Sequence, residues 1–76
     1  PRTGILTAAG WSNNSQTIAV EGVTASNNVC IDASNESYEA YAEAGVRCTA
    51  QAAGTLTFTC KRVPEEALTV NFVILP

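Results

Sequence analysis

With histidine absent, the candidates for chemistry in this chain are three cysteines (Cys30, Cys48, Cys60), seven carboxylates and a few aromatic rings. Without an imidazole the usual general base near neutral pH is missing, and neither a Ser–His nor a Cys–His nucleophile can be built. Paired carboxylates could still divide acid and base roles as glycosidases do. Glu36, Glu39 and Glu43, spaced three and four apart, would share one face of a short helix. Such spacing is also what a solvated helix face carries, and 76 residues leave little room for a deep cleft. Glu65-Glu66 beside Pro64 reads as a charged loop tip. The expectation is that the chain is not an enzyme and has no cofactor.

The cysteines form no CxxC pair and have no histidine beside them, so a zinc site is not expected. An odd count in a short chain does not read as an extracellular disulfide framework. It fits small apolar residues in a protein folded under reducing conditions. Trp11, Tyr38 and Tyr41 are the remaining candidates: near the ends of sheets they could form a platform that stacks on a sugar or anchors a protein contact. Amphipathic rings in small domains also seal core edges, and both readings stand at this level. Asn13-Asn14-Ser15 and Asn35-Glu36-Ser37 match the glycosylation acceptor pattern, which an Asn/Ser-rich chain produces by chance.

The elements that must position these residues are mostly strands. Val46 to Ala52 and Leu56 to Lys61 alternate with period two around Ala53-Gly54-Thr55, which predicts a β-hairpin whose turn uses a positive φ at Gly54. Val46, Cys48, Ala50 and Ala52 would share the inner face of the first arm, and Leu56, Phe58 and Cys60 that of the second. A turn centred on Gly54 would set Cys48 and Cys60 directly opposite each other as a core thiol pair, in contact without an implied bond. Leu68 to Leu75 reads as a last strand with Leu68, Val70, Phe72 and Ile74 inward. Val73 and Leu75 make its other face apolar too, so either a loop shields them or they form a self-association surface.

Weaker strands are expected over residues 5–9, 16–20 and 28–33, separated by the turn-forming segments Ser12-Asn13-Asn14-Ser15, Glu21-Gly22 and Ser26-Asn27. One or two helical turns are expected between Ser34 and Gly45, with Tyr38, Tyr41 and Ala42 at i, i+3 and i+4, lidding one end of the sheets. About six strands and one short helix predict a mostly β domain, a small antiparallel sandwich of Ig-like or jelly-roll-like kind. Residues 1–4 read as a junction with a longer chain or a tag remnant, and 5–76 as a single domain.

A core of this size buries only about 60% of the unfolded surface, so an oligomeric interface is a reasonable expectation. Hydrophobic residues make up 46%, charged residues 14%, and the net charge is −3. Four basic side chains (Arg2, Arg47, Lys61, Arg62) form no stripe able to neutralise phosphates, so nucleic acid is not an expected partner. No apolar run approaches the roughly 20 residues of a membrane helix, and no membrane partner is expected.

The order Ala-Ala-Gly-Trp (8–11), Gln-Thr-Ile-Ala-Val-Glu-Gly-Val-Thr-Ala (16–25), Tyr-Glu-Ala-Tyr-Ala-Glu-Ala-Gly-Val-Arg-Cys-Thr-Ala-Gln (38–51), Gly-Thr-Leu-Thr-Phe-Thr-Cys (54–60) and Leu-Thr-Val-Asn-Phe-Val-Ile-Leu (68–75) covers nearly the whole chain. It resembles small C-terminal β modules of virion structural proteins encoded by phages and prophages of Gram-positive gut bacteria, namely head fibres, capsid decorations or tail fibres. The resemblance implies a virion location, assembly in the bacterial cytoplasm, a homotrimer and contacts with other virion proteins; the alternative, resting on the Trp11, Tyr38 and Tyr41 platform, is a carbohydrate or host-surface receptor-binding module. It carries no catalytic motif.

Overall fold

The computed structural model describes residues 2–75. The elements run β1 (Arg2–Leu6), a 3-10 turn η1 (Ala8–Gly10), β2 (Ser15–Ala19), β3 (Asn28–Ala33), α1 (Tyr38–Ala44), β4 (Arg47–Ala52), β5 (Thr55–Thr59) and β6 (Leu68–Leu75). Six strands form two antiparallel three-stranded sheets, ordered β1-β6-β3 and β2-β5-β4. The fold is the small β-sandwich that the alternating patterns predict. Only β4 and β5 are joined by a hairpin within a sheet; every other connection crosses between the layers.

The core lies between the sheets. Leu6, Leu68, Val70 and Phe72 from the first sheet meet Leu56 and Phe58 from the second, and Val20, Val23, Ala44, Val46 and Cys60 close the ends. Apart from Leu6 on the edge strand β1, the most deeply buried of these lie on strands central to their sheets, β6 and β5, where a neighbour on each side hides the inward residues. Val29 and Ile31 on the edge strand β3 also face inward, opposite Ile74 and Phe72, yet remain half-buried because no strand flanks them on one side.

Of residues 1–4, expected to form a junction, Pro1 lies outside the described residues and the other three are part of β1: Arg2, Thr3 and Gly4 pair with Phe72, Asn71 and Val70. Gly4 hides the pattern, since it faces inward without a side chain and the Phe72 ring fills the space; a Cβ there would stand 2.8 Å from that ring. The expected strand over 5–9 accordingly ends at Leu6, and residues 8–10 turn instead. Gln16, buried on β2, fixes this turn. Its Oε1 accepts from the Thr7 amide at 2.9 Å and its Nε2 donates to the Thr7 carbonyl at 3.0 Å, so one side chain stands in for a strand partner and links the two sheets. Gly10 must lack a Cβ here, because one would lie 2.7 Å from Gln16 Oε1.

The turn at 12–15 is a two-residue hairpin loop in which Asn13 and Asn14 both take positive φ, 52° and 62°, the backbone of a type I′ turn that asparagine tolerates. The Asn14 amide then donates to the Cys60 carbonyl at 3.0 Å, holding the exit of β5. Helix α1 ends at Gly45, φ 65°, as the sequence predicts. Its buried side differs from the expected one. Ser37 and Ala44 are buried and Ala40 and Tyr41 partly so, whereas Tyr38 and Ala42 face solvent. The reason is an anchor rather than an apolar stripe: Ser37 Oγ accepts from the Thr69 amide of β6 at 2.8 Å and makes no cap bond to its own helix.

Candidate functional site

Antiparallel register decides which side chains share a surface. On the outer face of the first sheet, β6 contributes Thr69, Asn71, Val73 and Leu75; β1 adds Thr3 and Ile5 opposite Asn71 and Thr69; β3 adds Asn28, Cys30 and Asp32 opposite Leu75, Val73 and Asn71. The middle of this face is polar, with the Thr3 hydroxyl donating to Asn71 Oδ1 at 3.3 Å and Asp32 beside them. One end is apolar. Val73 is 47% and Leu75 40% exposed, and the exposed thiol of Cys30 lies directly across from Val73. Among the described residues no loop shields Val73 or Leu75, which speaks against the first of the two explanations for a strand apolar on both faces. Ile5, 54% exposed, adds a further apolar side chain opposite Thr69.

Sequence reasoning identified Val73 and Leu75 but did not assign Cys30 and Ile5 to the same face. The signal for Cys30 was present: it alternates against Val29, Ile31 and Ala33, so it must point outward. What was missing was the β3–β6 pairing, which no local pattern encodes.

The three aromatic candidates are not presented alike. Tyr38 is 61% exposed on α1, whereas Trp11 and Tyr41 pack against the core. Burial, then the nearby charges of Cys48 and Asp32, hold the Tyr41 phenol above its ordinary pKa, so it stays neutral. The Trp11 indole N–H is buried and makes no hydrogen bond among the described residues.

Cys48 and Cys60 are not opposite each other. The hairpin loop is the two residues Ala53-Gly54, with Ala52 facing Thr55, and a β-bulge between Cys48 and Ala50 shifts the register again. Cys48 therefore faces Phe58, while Cys60 lies beyond the end of β5. The bulge also overturns the expected inner face of β4. Gln51 takes the inward phase opposite Leu56, and Ala50 and Ala52 point out. Gln51 uses that position to donate to the carbonyls of Thr24 and Asn27 at 2.7 and 2.8 Å, tying the β2–β3 loop to β4. All three cysteines are free thiols. Burial raises the pKa of Cys60 and of Cys48, and for Cys48 hydrogen bonds to the backbone of Ala50 and Thr57 offset part of the rise.

Glu36, Glu39 and Glu43 are all exposed, Glu36 before α1 and the other two on it. Glu43 joins Arg62, Glu65 and Glu66 around an open depression of about 310 Å³ with Ala40, Ala44, Val63 and Pro64 beneath. No group of three His, Cys, Asp or Glu residues is placed to hold a metal ion among the described residues, and no helix there is long and apolar enough to cross a membrane. No protein-family model, curated protein or solved structure matches this chain.

Proposed function

We propose that this domain is an assembly module of a phage virion, a fibre or capsid-surface domain that associates with copies of itself and displays its inter-sheet loops outward. The observation that carries self-association is the exposure of Val73 and Leu75 on the outer face of β6, the central strand of its sheet. A central strand is the part of a sheet least able to keep apolar side chains dry by edge loops, and covering them requires a second surface laid on the sheet. The virion setting is supported by the sequence resemblance alone. It implies a trimer, which would close through a heterologous contact repeated three times.

The test is the solution mass by light scattering over a concentration series, with Val73→Asp beside the native chain. The native chain is expected to rise above the monomer mass, and Val73→Asp to remain monomeric with its thermal midpoint little changed. An oligomer unaffected by the aspartate would remove this face from the contact. A native chain that stays monomeric throughout would remove self-association. The alternative, binding of a host-surface glycan, is favoured by one observation, the exposed ring of Tyr38.

A further inference from the structure

The way copies of this chain meet can be taken one step beyond the exposed face. A β-sandwich has four edge strands, each with a row of backbone donors and acceptors turned away from its neighbour, and natural sheets blunt such edges with bulges, charges, short strands or covering segments. Here β1, β3, β2 and β4 are the edges. Three of them carry a recognisable device. β4 is bulged between Cys48 and Ala50 and begins with Arg47. β1 and β2 run close together, joined where Gln16 grips Thr7, and β1 carries the Arg2–Glu21 ion pair at 3.6 Å.

β3 has neither a bulge nor a covering contact, and a single charge. Its six residues pair with β6 without a bulge, contain no Pro, Lys or Arg, and carry one charge, Asp32. No hydrogen bond among the described residues reaches its outer edge, and α1, although it follows β3 in sequence, does not run along it. The inward Val29 and Ile31 are left half-exposed for want of a neighbour.

We infer that β3 is the site at which a second copy of this chain adds its own β3, antiparallel, so that two three-stranded sheets become one of six strands. This takes from the proposal above only that copies of this chain associate: the contact is twofold, where the resemblance implies a threefold one, and it widens the Val73–Leu75 face without covering it. The occupant follows from the strand's own sequence. Inner residues must face inner residues across the pair, since directly opposed side chains share a face. A twofold axis through Cys30 sets Val29 against the partner's Ile31, Cys30 against the partner's Cys30, and Asn28 against the partner's Asp32. A twofold axis through Ile31 sets Val29 against the partner's Ala33 and Cys30 against the partner's Asp32. Neither register opposes like charges or puts a polar side chain against an apolar one on the inner face. The first also carries the apolar Cys30–Val73–Leu75 patch of the outer face across the join, whereas the second sets Asp32 against Cys30. An antiparallel pair of this kind is isologous and closes on itself, so the copy number must be even.

Native mass spectrometry combined with amide hydrogen exchange at dilute and at high protein concentration tests this. The expected result is an even copy number at high concentration, with the outward-directed amides of residues 28–33 exchanging at least about tenfold more slowly than in dilute solution. A trimer, or any oligomer in which those amides keep their dilute exchange rate, overturns the edge pairing while leaving self-association standing. A monomer at every concentration overturns both.

Discussion

At the scale of single residues, the three cysteines separate by position alone. Cys30 stands exposed on the outer face, Cys48 is half-buried opposite Phe58, and Cys60 is buried in the core. The reactive species is the thiolate, and burial raises the pKa of both Cys48 and Cys60, lowering their thiolate fraction as well as their access. A thiol reagent at neutral pH is therefore expected to label Cys30 first, Cys48 more slowly, and Cys60 only at the rate at which the domain opens; denaturant should reveal all three. Peptide mapping of a labelling time course checks the order. Equal rates at Cys30 and Cys60 would contradict the placement of Cys60. Gln16 illustrates what residue-level reading could not supply, since nothing in a Gln within a β pattern announces that its amide will pair with the backbone of Thr7 nine residues earlier.

At the scale of elements, legibility followed the strength of local periodicity. β5 and β6 alternate without interruption, and of the inward positions expected on them Leu56, Phe58, Cys60, Leu68, Val70 and Phe72 are buried and Ile74 partly so. β4 alternates equally well on paper, but four small or apolar positions cannot reveal a bulge, because alanine suits either face. The inserted residue moved Gln51 inward, and its bonds to Thr24 and Asn27 show what that phase accomplishes. The start of β1 was illegible for the opposite reason, as Gly4 leaves an inward position blank. The turn at Gly54 was readable because only one conformation there lets the arms meet: its φ is 78°, and no atom lies within 4 Å of where a Cβ would be. Gly54→Ala thus meets open space, and its cost is conformational, about 1–2 kcal/mol for an L side chain held in the left-handed region. Chemical denaturation should show that loss with an unchanged slope. No loss would mean that the hairpin can adopt another turn.

At the scale of the whole molecule, the two sheets share one thin core, and its polar margins set how stability responds to pH. Tyr41, Cys48 and Cys60 all have pKa values raised in the folded state, burial being the largest cause for each. A raised pKa in an acid means that the folded chain holds the proton more tightly than the unfolded chain. Below the unfolded pKa both states are protonated and the groups contribute no difference. Above it the unfolded state ionises first, and folding weakens as pH rises. For the thiols that window opens near pH 8.5 and for the phenol near pH 10, from their ordinary values. The thermal midpoint should consequently be flat with respect to these groups from neutrality to about pH 8 and fall in two stages above it. Replacing Cys60, which sits deepest, by Ala removes its share of the first stage and leaves the phenolic stage in place. The substitution will lower the midpoint at every pH by opening space in the core, so the informative quantity is the slope against pH. A slope unchanged in Cys60→Ala would show that this thiol ionises as readily in the folded domain as in the unfolded chain, against the raised pKa that its burial gives it.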